Sequence, residues 1–162
     1  PDLAVTTDII VGFPGETEDD FVRTLEVAAE ADFDSTYTFI FSPREGTEAA
    51  TMVDRFVDPA VVAERFERLR TVVERTALLK HEARVGRTEE IVVEGPSRRL
   101  PDITTGRTRQ NKLVHFKSTQ QLRPGTYANV EIVRAAPHFL HGELRGILSE
   151  ATHRIRIPVA SA

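Results

Sequence analysis

The 162-residue chain is 40% hydrophobic and 28% charged with a formal net charge of −4, the balance of an ordinary globular protein with room for one medium domain or two small ones. It contains no cysteine, which excludes disulfides, thiolate catalysis, cysteine-type zinc sites and any thiolate-held iron-sulfur cluster within these residues. No apolar run approaches the roughly 18–20 residues that span a bilayer and no basic-then-apolar leader opens the chain, so a cytoplasmic protein without membrane contact is expected. The chain starts at Pro1 and enters strand-like sequence at once, as a piece of a longer polypeptide would.

Thr6-Thr7-Asp8-Ile9-Ile10-Val11 is a short β-branched run, read as a strand buried on both faces. It stops at Gly12-Phe13-Pro14-Gly15, where Pro14-Gly15 suits the centre of a type II turn. Thr17 is the expected N-cap of a helix with Glu18, Asp19 and Asp20 in its first turn and Phe21, Leu25, Ala28 and Ala29 as its buried stripe. Ser35–Phe41 reads as a second strand, ended by Ser42-Pro43-Arg44-Glu45-Gly46-Thr47. Strand, loop, helix, strand is a βαβ unit; it implies a parallel sheet with ligands at the carboxyl ends of its strands. From Asp58 as N-cap and Pro59 at the first helical position, a long helix runs to about Arg84, with Val62, Phe66, Leu69, Val73 and Leu79 on its apolar side.

Beyond Gly86 the pattern changes to short strands: Ile91–Glu94, Ile103–Thr108, Lys112–Phe116, Ala128–Val133 and Phe139–Leu148, with Arg123-Pro124-Gly125-Thr126 as the clearest turn. Five such strands suggest a small antiparallel barrel. Charge changes at the same place. Residues 1–83 hold 8 Lys/Arg against 18 Asp/Glu, whereas residues 84–162 hold 13 against 7. A basic module suggests a polyanionic partner, the alternative being a small domain that is basic by chance.

Chemistry has few candidates. The Gly12–Glu16 loop offers close backbone approach and a helix N-terminus, but it has neither a Walker lysine nor a GxGxxG pattern, and a plain strand-to-helix turn explains it too. Asp8 and Glu16 flank the turn as a conceivable carboxylate pair, with solvated turn acids as the plainer reading. Five histidines (His81, His115, His138, His141, His153) form no H-E-x-x-H motif, so no metal site is expected. Arg107-Thr108-Arg109-Gln110-Asn111-Lys112-Leu113-Val114-His115-Phe116 sets three cations, two amides and an aromatic across a β-hairpin. Those groups can neutralise phosphates, read base edges and stack on an unpaired base. The alternative is a polar hairpin with either Val114 and Phe116, or Leu113 and His115, facing inward. Arg98, Arg99, Lys117, Arg134 and Arg145 extend the same positive field.

Thr6–Thr17 together with Phe39–Thr47 closely resembles a late strand-loop and the final strand-loop of the radical-SAM methylthiotransferases. Val93–Ser97, Gly106–Lys112 and Ala136–Leu144 resemble that family's TRAM domain, so the resemblance covers about residues 3–148 in one order. The fold it implies is α/β followed by all-β: residues 1–75 as the end of a TIM-type (βα) radical-SAM barrel with a long linking helix, residues 76–148 as a five-stranded antiparallel TRAM/OB-like barrel, and 149–162 as a tail. The Gly106–Phe116 stretch is most similar to the branch that adds a methylthio group to carbon 2 of isopentenylated adenosine beside the anticodon. A threonylcarbamoyl-adenosine branch, a ribosomal-protein branch and a non-catalytic RNA-binding module are the alternatives.

The resemblance further implies S-adenosylmethionine and two 4Fe-4S clusters whose cysteines lie outside this chain, so the chain alone is expected to be inactive and to hold no catalytic residue. It implies cofactor contacts at Gly12, Phe13, Pro14, Gly15, Glu16, Ser42 and Arg44, with Thr47 at the same barrel mouth. RNA contacts are expected at Arg107, Arg109, Gln110, Asn111, Lys112, His115 and Phe116. The expected partners are a tRNA anticodon stem-loop and the preceding part of the same polypeptide, in a monomeric enzyme.

Overall fold

A computed structural model describes residues 2–151, so His153 and most of the expected tail fall outside the described residues. The chain divides into two compact units, one of residues 1–84 with 135–138, the other of residues 85–134 with 139–162.

The first unit opens with β1 (Thr6–Val11), α1 (Glu18–Glu30) and β2 (Ser35–Ile40), followed by a short α2 (Glu48–Thr51), a 3-10 turn at Val53–Arg55 and α3 (Pro59–Glu82). β1 and β2 pair in parallel from Thr6↔Ser35 to Val11↔Ile40, as the βαβ pattern requires. The start of α1 is fixed by a capping box: the Thr17 hydroxyl accepts from the Asp20 N–H at 3.2 Å and the Asp20 carboxylate from the Thr17 N–H at 3.0 Å. α3 begins with Asp58 accepting from the Ala60 N–H at 2.8 Å and Pro59 at its first position.

Both long helices cover one face of the strand pair. Val11, Phe21, Ala28, Val62 and Leu69 form its core, with Ile9, Leu25, Val57, Val72 and Val73 packed around them. Two expected stripe positions fall outside it. Ala29 and Leu79 are exposed, because the buried line of α1 runs through Phe21, Leu25 and Ala28, and that of α3 passes through Ala77 and His81 instead. The opposite face of the pair is uncovered: Ile10 is 53% exposed, Tyr37 67% and Phe39 49%, so the strands are buried on one face and not on both.

The second unit is a closed barrel of β3 (Thr88–Pro96), β4 (Thr104–Thr108), β5 (Leu113–Lys117), β6 (Tyr127–Ala135) and β7 (Leu140–Ser149), in the order β3-β4-β5-β7-β6. Inward positions alternate along each strand and supply Ile91, Val93, Val114, Phe116, Ala128, Val130, Ile132 and Leu140 to the core. At Gly142 a Cβ would fall 2.2 Å from Val130 Cγ1, so strand crowding leaves room only for glycine. The barrel is not wholly antiparallel as expected. β3 pairs antiparallel with β4 and β6, and β4 with β5, but β5 and β7 pair in parallel. Direction alternates along the chain, so β5 and β7 run the same way, and closure sets them side by side.

Candidate nucleic-acid interface and strand-end loop

The hairpin between β4 and β5 owes its shape to Asn111. Its φ of 58° lies in the left-handed region that asparagine tolerates, and its N–H donates to the Thr108 carbonyl at 2.9 Å to close the turn. Two of the expected RNA contacts lie inside: Phe116 is 2% exposed and Lys112 5%, so neither presents its side chain to a ligand. The pleat decides this, since Val114 and Phe116 take the inward phase and leave His115 outward.

Arg107 and Arg109 do face outward, in the company of carboxylates. Arg107 Nε lies 3.3 Å from Glu94 Oε1 and its Nη1 donates to the Asn111 carbonyl at 3.0 Å. Arg109 Nη2 lies 2.9 Å from Glu90 Oε1. Gln110 is half-buried and Asn111 exposed at the tip. The positive field of the hairpin is therefore partly neutralised by β3.

A second feature of this face comes from the parallel seam. His115 and His141 are register partners across β5 and β7. Phe139 stacks on His115 with centroids 4.7 Å apart and planes at 21°, and meets His141 edge-on at 5.1 Å. Burial lowers the pKa of His115; burial, then the Arg134 guanidinium and His115, lower that of His141. The Arg134 guanidinium lies within hydrogen-bonding reach of His141 Nε2. Beside the rings opens a groove of about 530 Å³ lined by Ile103, Lys117, Val133, Glu143 and Arg145. Sequence reasoning weighed His141 only as a metal ligand and passed over Phe139, which lies just before β7; the signal was a pair of rings at i and i+2.

In the first unit, the Gly12–Glu16 loop is held by the helices rather than opened to a ligand. Gly12 has φ +79°, and a Cβ there would fall 2.6 Å from Val62 Cγ2, so α3 packs directly on the loop backbone. The Glu16 carboxylate accepts from the Gly12 N–H at 2.9 Å and pairs with Arg65 Nη1 at 2.9 Å, both side chains nearly buried. Arg65 also donates to the Glu16 carbonyl and to Glu18, each at 3.1 Å. Asp8 and Glu16 therefore form no carboxylate pair: Glu16 is committed to Arg65. The Gly15 N–H donates to the Arg55 carbonyl at 2.8 Å, and Pro14 is buried.

What remains open is the end of the strands. Phe13, Ser42, Arg44 and Thr47 line a cavity of about 620 Å³ with Asp8 and Phe39, while Gly12, Pro14, Gly15 and Glu16 lie outside its lining. Phe13 meets Phe41 edge-on at 5.4 Å, and Thr47 Oγ1 donates to the Arg44 carbonyl at 2.7 Å, fixing the loop after β2. Among the described residues no group of three or more His, Asp or Glu side chains is placed to hold a metal ion.

The TRAM domain family matches residues 82–144. Over 144 residues the chain is 48% identical to a tRNA-2-methylthio-N(6)-dimethylallyladenosine synthase of Caldicellulosiruptor saccharolyticus, covering 89% of this chain and 30% of that protein. It is 51% identical to the synthase of the same name from Acidothermus cellulolyticus, covering 86% and 28%, and 49% identical to that of Geobacillus thermodenitrificans, covering 89% and 27%. The chain thus spans less than a third of the length of these relatives. It carries a match to the TRAM domain at residues 82–144 and, along nearly nine tenths of its length, is similar to part of proteins named tRNA-2-methylthio-N(6)-dimethylallyladenosine synthase.

Proposed function

We propose that this chain is the tRNA-holding, cofactor-flanking portion of an enzyme that adds a methylthio group to carbon 2 of isopentenylated adenosine next to the anticodon. The observation that carries this reading is the identity of about half the residues over nearly nine tenths of the chain, a span longer than either unit alone. The one-sided strand pair supports a barrel reading: helices cover one face, and Ile10, Tyr37 and Phe39 on the other have the exposure of a barrel interior that awaits further strands. The clusters do not fit here, since the chain has no cysteine to ligate them. S-adenosylmethionine does fit at its edge: the cavity at the carboxyl ends of β1 and β2 offers a ring, a hydroxyl and a cation in Phe13, Ser42 and Arg44. There it would supply the radical chemistry, while the TRAM barrel holds RNA by its outward face.

The test is binding of the full chain to a tRNA anticodon stem-loop across a salt series, against an unrelated hairpin, with Arg107→Ala and Arg109→Ala in parallel. The expected result is preference for the anticodon stem-loop, affinity that falls with salt, and a shallower salt slope in the variants. Folded protein that binds neither RNA at low salt would overturn the reading.

A further inference from the structure

The aromatic step at the β5–β7 seam has a geometry suited to one class of ligand. His115, Phe139 and His141 are half-buried on an outward face, so their rings are held in place by packing; His115 and His141 line the groove, and Phe139 lies stacked against His115 outside its lining. Their mutual contacts, 4.7 Å stacked for His115 with Phe139 and 5.1 Å edge-on for Phe139 with His141, order them before any ligand arrives, which lowers the entropy cost of binding. Both imidazoles are held towards the neutral form, and Glu143 lies on the groove wall. A neutral π-surface is a good stacking site, and the Glu143 carboxylate beside it is paired with Arg145 at 2.9 Å. Cations are present at its border, with Arg134 bound to His141 and Lys117 exposed on β5.

We propose that His115, Phe139 and His141 form a platform on which one unpaired nucleobase of the bound RNA stacks, with Lys117 and Arg134 taking the phosphates that flank it. This rests on the RNA-binding reading above and adds to it a requirement for single-stranded structure. A duplex keeps its base faces stacked on each other and cannot use such a surface, whereas a loop base can be turned out onto it. The cations of the β4–β5 hairpin then supply affinity without distinguishing paired from unpaired RNA.

The test uses the full 162-residue chain and a stem-loop RNA carrying 2-aminopurine at each unpaired loop position in turn, beside a fully paired duplex of equal length. Quenching of at least one loop position on binding is expected. Phe139→Leu should weaken stem-loop binding by about 5- to 100-fold, as loss of one base-stacking ring does, and leave duplex binding and the salt slope unchanged. Salt-dependent binding with no position quenched, or a duplex competing equally with the stem-loop, overturns the platform and leaves the RNA reading standing. No binding of either RNA at low salt overturns both. The quenching measurement on the unmodified chain decides the matter even where Phe139→Leu fails to fold.

Discussion

Replacing Arg65 by methionine removes the guanidinium that ties α3 to the Gly12–Glu18 segment while keeping a long side chain in the helix. The Arg65 and Glu16 side chains are only 5% and 10% exposed, so solvent screens their pair little. Removing one partner of such a pair costs about 3–5 kcal/mol, mostly because the other charge stays buried. The Gly12 N–H still reaches Glu16 at 2.9 Å and softens that loss, whereas the Glu16 carbonyl loses its Arg65 donor at 3.1 Å, at about 1–3 kcal/mol. The two corrections offset, leaving an expected loss of about 3–4 kcal/mol. All described α-helices lie in the first unit, so helical circular dichroism during urea unfolding reports it. With a slope of about 1–3 kcal/mol per molar, the midpoint should fall by roughly 1 M or more. Glu18→Gln, at a half-exposed partner, should shift it only slightly. A double Arg65→Met/Glu16→Gln variant should lose less than the sum of its parts, since an amide needs no counter-charge. A loss below about 1 kcal/mol for Arg65→Met, or strict additivity in the double variant, would refute the strut.

Gly12→Ala combines a left-handed φ of +79° with a Cβ 2.6 Å from Val62 Cγ2, and should cost about 2–5 kcal/mol in the same unfolding assay. Adding Val62→Ala should relieve the contact but not the backbone strain. For His115 and His141 the folded pKa lies below the ordinary 6.5, so the unfolded chain takes up protons first. Their contribution to stability is whole above about pH 6.5 and is lost as pH falls towards the lowered folded values. His141→Gln should flatten that acid limb in melting curves, and imidazole resonances should titrate with midpoints below 6.5. Glu90→Gln and Glu94→Gln release Arg109 and Arg107 from their ion pairs, so RNA affinity should rise and the salt slope steepen, read by the same titrations. Unchanged affinity would mean that those arginines do not meet phosphate.

Signals carried by neighbouring residues were legible. Pro14-Gly15 turns the chain as read, with the Glu16 N–H donating to the Phe13 carbonyl at 2.9 Å and Gly15 at φ +84°. The Thr17 and Asp58 caps start their helices where expected. Arg65 was not legible, because an arginine within a helix rich in arginine and glutamate looks like part of a solvated face; its partners Glu16 and Glu18 lie on another element. The five-stranded barrel was legible, but the direction of one of its pairings was hidden for the same reason. No local pattern says that β5 pairs in parallel with β7, and only that pairing brings Phe139 and His141 to His115.

The hairpin shows how one physical choice corrected part of the site and created another. Side chains alternate across a strand, so His115 and Phe116 cannot both meet a ligand on the same face. From sequence either phase was open. Phe116 is the larger apolar group, and Val114 beside it on the same face is β-branched; burying both removes more apolar area from water than burying Leu113 with an imidazole. The barrel takes that phase, with Val114 fully buried and Phe116 2% exposed. The choice that buries Phe116 therefore turns His115 outward, opposite His141 and under Phe139. The proposed stacking surface then follows from core packing, with no need for the hairpin cations to read a base.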